Sequence, residues 1–189
     1  MGREKRVWMH DRFYHVVCRG NRRDPLFRSP SDFKVFYHIL NQLHEKFPLE
    51  IASYCLMTNH FHLQLRSEET SLSKVMSLMN KRYANYYNTK YHLTGHVFEK
   101  RYFAKIIDNY MGMIEVSRYI HLNPVEAGMV KRPENYPWSS YKFYCYPNHF
   151  QPGYLNTAEV LKLFEGTVEE KRIAYCACHA PKIVEFSPV

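Results

Sequence analysis

The sequence lacks the even, regularly spaced cysteines of a disulfide scaffold. Its five, Cys18, Cys55, Cys145, Cys176 and Cys178, are scattered and odd in number, and reduced thiols are expected. The first twelve residues carry Arg3, Lys5, Arg6 and Arg12 with no apolar run behind them, so no secretory signal is expected. No stretch approaches the roughly 20 apolar residues that a spanning helix requires, which argues against a membrane segment and for a cytoplasmic protein. Glycine (7) and proline (10) are too few among 189 residues for a collagenous or low-complexity chain. What is present is 46% apolar residues, enough for a packed core, an aromatic content of 16%, and a net charge of +8. Such an excess of positive charge points to a polyanionic partner.

The charge is concentrated. Residues 1–23 hold Arg3, Lys5, Arg6, Arg12, Arg19, Arg22 and Arg23 against Glu4 and Asp11, a net +5. Residues 81–105 hold Lys81, Arg82, Lys90, Lys100, Arg101 and Lys105 against Glu99, again +5. Everything else therefore sums to −2. Both basic segments are interleaved with aromatic side chains and histidine, a mixture suited to neutralising phosphates and stacking on bases. A solvated basic face is the alternative.

Periodicity gives the order β-α-β-β-α-β-α. A strand over 13–19 stops at Gly20-Asn21, and Ser31 is the expected cap of a helix that runs to Pro48. Residues 49–56 and 60–66 read as strands. Ser71 caps a long helix with a stripe of Leu72, Val75, Met76, Met79, Tyr83 and Tyr86 or Tyr87. A fourth strand covers 103–107, and a helix opened by Asp108 or Asn109 should end at Pro124. This split β-α-β pattern predicts an α+β fold, a ferredoxin-like antiparallel sheet covered by helices on one face. Residues 1–142 form the expected main domain. Residues 143–189 read as a C-terminal extension of loops and short helices, in which Cys176-Ala-Cys178-His179 lacks the second cluster of a structural zinc site.

Strand alternation in Asn59-His-Phe-His-Leu-Gln-Leu-Arg66 puts Phe61, Leu63 and Leu65 on a core face and His60, His62, Gln64 and Arg66 on the other. Imidazoles at i and i+2 lie roughly 6.5–7 Å apart at the Cα level, close enough to chelate one divalent ion that polarises a phosphoryl oxygen. A hydrogen-bonded polar face is the alternative. On the last regular helix, Tyr119 and Asn123 share one face. A phenol beside a metal-held phosphate can attack phosphorus, and an amide oxygen can serve as a third hard ligand. Packing with a bonded hydroxyl is the ordinary fate of a tyrosine. Tyr83, Tyr86, Tyr87 and Tyr91 compete for the role but are needed for packing or base stacking.

Five stretches carry a resemblance: Tyr14-His-Val-Val-Cys-Arg-Gly-Asn21, Tyr54-Cys-Leu-Met-Thr-Asn-His-Phe-His62, Gly95-His-Val-Phe-Glu-Lys-Arg-Tyr102, Tyr119-Ile-His-Leu-Asn-Pro-Val-Glu-Ala-Gly128 and Trp138-Ser-Ser-Tyr141. Over residues 12–142 the chain resembles the REP-associated tyrosine transposases. These belong with the small single-tyrosine transposases of insertion sequences, in the HUH (His-hydrophobic-His) endonuclease superfamily. The resemblance implies an HUH endonuclease fold acting on single-stranded DNA near hairpins. His60 and His62 match the metal pair, Mg²⁺ or Mn²⁺ being the expected ion, and Tyr119 the nucleophile that forms a 5′-phosphotyrosine and releases a 3′-hydroxyl. Asn123 stands where relatives often place Gln, one turn after the tyrosine. The basic side chains Arg3, Lys5, Arg6, Arg12, Arg19, Arg22, Arg23, Lys81, Arg82, Lys100, Arg101 and Lys105 become the candidate DNA surface. Relatives include dimers that share active sites in trans, so a homodimer is a candidate assembly. Two other functions stay open: a catalytically silent hairpin-binding module on the same fold, and a metal-dependent nuclease with no covalent intermediate.

Overall fold

The computed structural model describes residues 8–179. Four strands, β1 (Tyr14–Arg19), β2 (Leu49–Met57), β3 (His60–Ser67) and β4 (Phe103–Ile106), form one antiparallel sheet in the order β2-β3-β1-β4. Helices α1 (Pro30–Lys46) and α2 (Leu72–Tyr91) fill the two crossovers, which gives the ferredoxin-like α+β arrangement.

Their apolar stripes explain the packing. Phe36, Leu40 and Leu43 of α1 and Val75, Met76, Met79 and Tyr83 of α2 meet Val16, Phe61, Leu63 and Leu65 of the sheet in one core. The α2 tyrosines are structural. Tyr83 donates to the Leu26 carbonyl at 2.5 Å and Tyr87 to that of Pro25 at 2.6 Å, while Tyr86 and Tyr91 both donate to Asp32.

Several expectations are corrected. The cap of α1 is Ser29, with Pro30 in the first turn and the Asp32 carboxylate accepting the Arg28 and Ser29 N–H groups. Proline's fixed φ suits that first turn, which moves the start ahead of Ser31. Helix α3 (Tyr110–Glu126) passes through Pro124 and does not stop there. The missing N–H forfeits one bond to Ile120, and the final turn still closes through Ala127 N–H to the Asn123 carbonyl at 2.9 Å.

The sheet is also covered on both faces. Met113 and Ile120 of α3 pack with Ala52, Cys55 and Met57, on the side opposite α1 and α2. An irregularity in the β2–β3 register between Ile51 and Ser53 turns both Ala52 and Ser53 to this side. Ser53 donates to the Gln64 Oε1 at 2.7 Å, and the Gln64 Nε2 donates to the Met113 carbonyl at 3.1 Å, binding α3 to the sheet.

The described part of the C-terminal region, residues 141–179, packs against this frame as α4 (Tyr141–Cys145), α5 (Ala158–Leu161) and α6 (Val168–Ala177). Ser139 bridges to Cys55 and Leu155 to Ile51, so the outer edge of β2 is covered and not left as an unpaired template. Cys145 and Cys176 form a disulfide between α4 and α6, contrary to the expected reduced thiols. Separated by 31 residues, they are brought together by helix packing, which spacing alone does not reveal.

Candidate active site

The site lies where β1, β3 and α3 meet. Strand β3 presents His60 and His62 with ring centroids 4.9 Å apart and planes at 79°. On β1, alternation and pairing bring in a third imidazole. His15 stacks on His62 with centroids 5.2 Å apart, and His15 Nε2 lies 3.0 Å from His62 Nδ1. Helix α3 closes the group with Tyr119, whose ring stands edge-on to both His15 and His62 at 5.6 Å from each. Tyr119 remains 44% exposed, so its ring is set against the imidazoles while a substrate can approach it.

The other polar residues of β3 are elsewhere. Gln64 is fully buried as the α3 tether, and Arg66 pairs with Glu50 and lies over the Phe13 ring. Asn123 sits one turn beyond Tyr119, and its Nδ2 donates to the Tyr119 carbonyl at 2.8 Å.

All three imidazoles are held neutral at physiological pH. Burial, with the Lys105 ammonium beside it, pulls His15 down to about 4. Burial and the Arg19 charge pull His60 down to about 4. For His62, burial, reinforced by His60, His15 and Arg19, holds the value well below the ordinary range. A neutral imidazole keeps a nitrogen lone pair for a cation, with no proton to displace. His62 Nε2 is buried and, among the described residues, has no hydrogen-bond partner. An orphaned buried nitrogen on the middle ring of the cluster fits a bound ion. Among the described residues, no three His, Cys, Asp or Glu side chains form a complete metal cage. Cys178 is exposed and unpaired, and His179 is buried against the Tyr175 carbonyl.

The basic candidates divide. Arg19 is the cross-strand partner of His60, and Lys105 that of His15, so both flank the site. Arg22 and Arg23 follow in a tight turn with left-handed φ of 53° and 64°. Gly20 opens that turn, since an added Cβ would fall 2.2 Å from the Asp24 carbonyl oxygen. Segment 95–102 runs beside the turn, with Asn21 N–H donating to the Val97 carbonyl and Glu99 N–H to that of Arg19. Lys100 and Arg101 on this segment and Lys81 on α2 line a groove of about 990 Å³ together with Trp8 and His96. The two basic sequence segments thus meet at one end of the sheet. Arg82 faces away and donates to Gln42 of α1 at 2.9 Å. Arg12 lies near Asp11 and the Asp108 carbonyl at the far end of β1. Arg3, Lys5 and Arg6 lie outside the described residues.

Sequence reasoning did not single out His15 or Asn59, whose Oδ1 lies 2.7 Å from His60 Nδ1. Both were within the quoted motifs. Alternation along β1 aligns His15 with Arg19 on one face, but only the β1–β3 register, which pairs His15 with Gln64 and Val17 with His62, brings it diagonally against His62.

Known proteins resemble the chain in both sequence and fold. The family model for IS200-like transposases matches residues 9–123, and the chain belongs to that family of DNA-cleaving enzymes. It is 22% identical over 141 residues to a REP-associated tyrosine transposase of Haemophilus influenzae, spanning 68% of this chain and 78% of that one. Its fold is similar to the structure of a REP-associated tyrosine transposase bound to a REP hairpin, with a TM-score of 0.66, 18% identity, and coverage of 82% of this chain and 92% of that one. Among the described residues, no helix is long and apolar enough to cross a membrane.

Proposed function

We propose that this protein nicks and rejoins single-stranded DNA beside hairpins through a covalent bond to Tyr119. The observation that carries the reading is the half-open Tyr119 ring set 5.6 Å from the buried His62 imidazole, whose Nε2 has no hydrogen-bond partner among the described residues. In the forward step the Tyr119 oxygen attacks phosphorus, its proton passes to solvent, and the bond to the 3′ oxygen breaks with its electron pair. That oxygen takes up a proton to leave as a 3′-hydroxyl, and the 5′ phosphate stays on Tyr119. Reversal by a 3′-hydroxyl rejoins a strand with no nucleotide cofactor, because the phosphodiester energy is retained in the tyrosyl ester.

His60 and His62 would hold Mg²⁺ or Mn²⁺ through their Nε2 atoms, with the Asn123 amide oxygen as a third ligand. When bound, the ion supplies Lewis-acid polarisation of the phosphoryl oxygen. Arg19 and Lys105 place positive charge on either side of the reacting phosphate. The groove lined by Lys81, Lys100, Arg101 and Trp8 offers cations for the flanking backbone and an indole face for a base. The relative bound to a REP hairpin supports hairpin DNA as the substrate class. Residues 1–142 would then be the catalytic unit and the extension its brace, in a cytoplasmic protein.

The test is incubation of the protein with end-labelled hairpin DNA and Mg²⁺ or Mn²⁺, followed by denaturing electrophoresis. The expected result is an adduct that survives denaturation and disappears in Tyr119→Phe. Cleavage without adduct would mark a hydrolytic nuclease, and binding without cleavage a silent hairpin-binding module.

A further inference from the structure

Each imidazole of the candidate metal pair has its Nδ1 against a different partner, and those partners decide where each ring proton resides. His60 Nδ1 is 2.7 Å from Asn59 Oδ1. The orientation of that amide is itself fixed, because Asn59 Nδ2 donates to the Arg23 carbonyl at 3.2 Å. With the amide flipped, two carbonyl-type oxygens would face each other. The oxygen therefore faces His60, and as a pure acceptor it requires the proton on His60 Nδ1. His62 Nδ1 is 3.0 Å from His15 Nε2, with the two rings within 20° of parallel. Two proton positions satisfy that contact. If His15 donated, the His62 proton would sit on Nε2, a buried nitrogen with no acceptor among the described residues. If His62 donates, Nδ1 is satisfied and Nε2 carries a lone pair that a bound cation can take up, which a buried N–H could not offer.

We propose that His15 and Asn59 are positioning residues that hold His62 and His60 in matching Nδ1–H tautomers and so direct both Nε2 lone pairs toward one divalent cation. This rests on the metal reading of the site given above. The outward ring nitrogen of a metal-binding histidine is ordinarily tied to a carboxylate, a carbonyl or water. Here an amide oxygen and a third imidazole take that place. His15 does so from a separate strand, so the tautomer of His62 depends on the β1–β3 register. The turn at Arg22 and Arg23 has the matching role for His60, since it supplies the carbonyl that orients Asn59.

Two measurements on the full chain test this. In metal-free protein, ¹⁵N-detected long-range NMR of the imidazoles should report His60 and His62 as Nδ1–H tautomers. An Nε2–H tautomer at His62 would overturn the proposal. In Mn²⁺ titrations by calorimetry, His15→Phe, which keeps a ring in the stack but removes the acceptor, should weaken binding by about 10–100-fold. His15→Gln, with an amide oxygen at similar reach, should restore part of that loss. Equal affinity in His15→Phe and wild type would overturn the role of His15. If His15→Phe does not fold, the tautomers of the wild type and the Asn59→Asp and Asn59→Ala pair decide, with affinity retained in the first and lost in the second. Wild-type protein with both Nδ1–H tautomers but no Mn²⁺ uptake would support the tautomer assignment and overturn the metal reading beneath it.

Discussion

Helix α3, which carries Tyr119, is anchored through a buried polar relay that a single oxygen atom can break. Tyr175 of α6 is fully buried, and its hydroxyl lies 2.6 Å from Ser117 Oγ and 2.6 Å from His121 Nδ1. His121 in turn reaches Ser140 Oγ at 2.7 Å, and that oxygen accepts the Tyr54 N–H of β2 at 2.8 Å. The relay therefore runs from the C-terminal extension through α3 to the sheet. Tyr175→Phe removes one oxygen while keeping the ring stacked on Tyr144, whose centroid is 4.2 Å away. The cost is the lost hydrogen bond plus a buried His121 nitrogen without a partner. Together these amount to about 2–3 kcal/mol. For a chain of this size 1 kcal/mol moves the melting temperature by about 2–4 °C, so a drop of about 4–12 °C is expected in thermal unfolding followed by circular dichroism. Ser117→Ala should cost less, because the Tyr175 hydroxyl still reaches His121. At temperatures well below its midpoint, Tyr175→Phe should bind hairpin DNA normally but nick it more slowly, since the helix bearing the nucleophile is less firmly held. A shift under about 2 °C would refute the claim that the extension braces α3 through this relay.

Two further predictions concern other parts of the molecule. Asp32 is buried beneath α2; burial alone would raise its pKa, but Lys90, Tyr91, Tyr86 and the Ser29 N–H outweigh it and hold the carboxyl well below the carboxylate range. A carboxyl depressed by folding contributes fully above the unfolded value of about 3.9 and progressively less as pH falls below it. Asp32→Ala should cost about 3–5 kcal/mol in urea unfolding at pH 7 and should flatten the acid limb of stability; equal acid slopes in variant and wild type would contradict this. DNA binding should be steeply salt-dependent, falling by about 10³–10⁵ between about 50 and 200 mM salt if roughly 6–10 phosphates are engaged. Arg19→Gln or Lys105→Gln should each reduce the logarithmic salt slope by about 1, whereas a wild-type slope near zero would remove the basic surface from the account.

The sequence made the local elements legible because their signals are local. The stripe from Leu72 to Tyr87, the Ser71 cap and the alternation from His60 to Leu65 are each written within one element, and the structure has them. What escaped depends on which elements touch. The face chosen by α3 follows from Ala52, Cys55 and Met57 on the reverse of β2, a set that reads as ordinary strand interior. Gln64 and Arg66 looked equivalent to the histidines beside them until Met113 and Glu50 took them as partners. The Cys145–Cys176 disulfide is a property of α4 meeting α6. His15 escaped for the same reason: a lone histidine on β1 has no meaning until the register sets it beside β3.

The amide at Asn123 tests the third-ligand assignment, because its two ends are already distinguished. Its Nδ2 is engaged by the Tyr119 carbonyl one turn back, so Oδ1 is the end left for a hard cation. Oxygen is the donor that Mg²⁺ and Mn²⁺ prefer, and two imidazoles alone give either ion too few ligands. Asn123→Ala should therefore weaken Mn²⁺ binding in calorimetry without lowering the melting temperature appreciably, since the side chain is half-buried at the end of α3 and, among the described residues, bonds to its own helix. Asn123→Gln keeps the amide oxygen and lengthens its reach by one methylene, so it should bind Mn²⁺ at least as well as wild type. If Asn123→Ala binds Mn²⁺ with unchanged affinity, the third position belongs to water or DNA phosphate, and Asn123 serves only to hold the backbone carbonyl beneath the nucleophile.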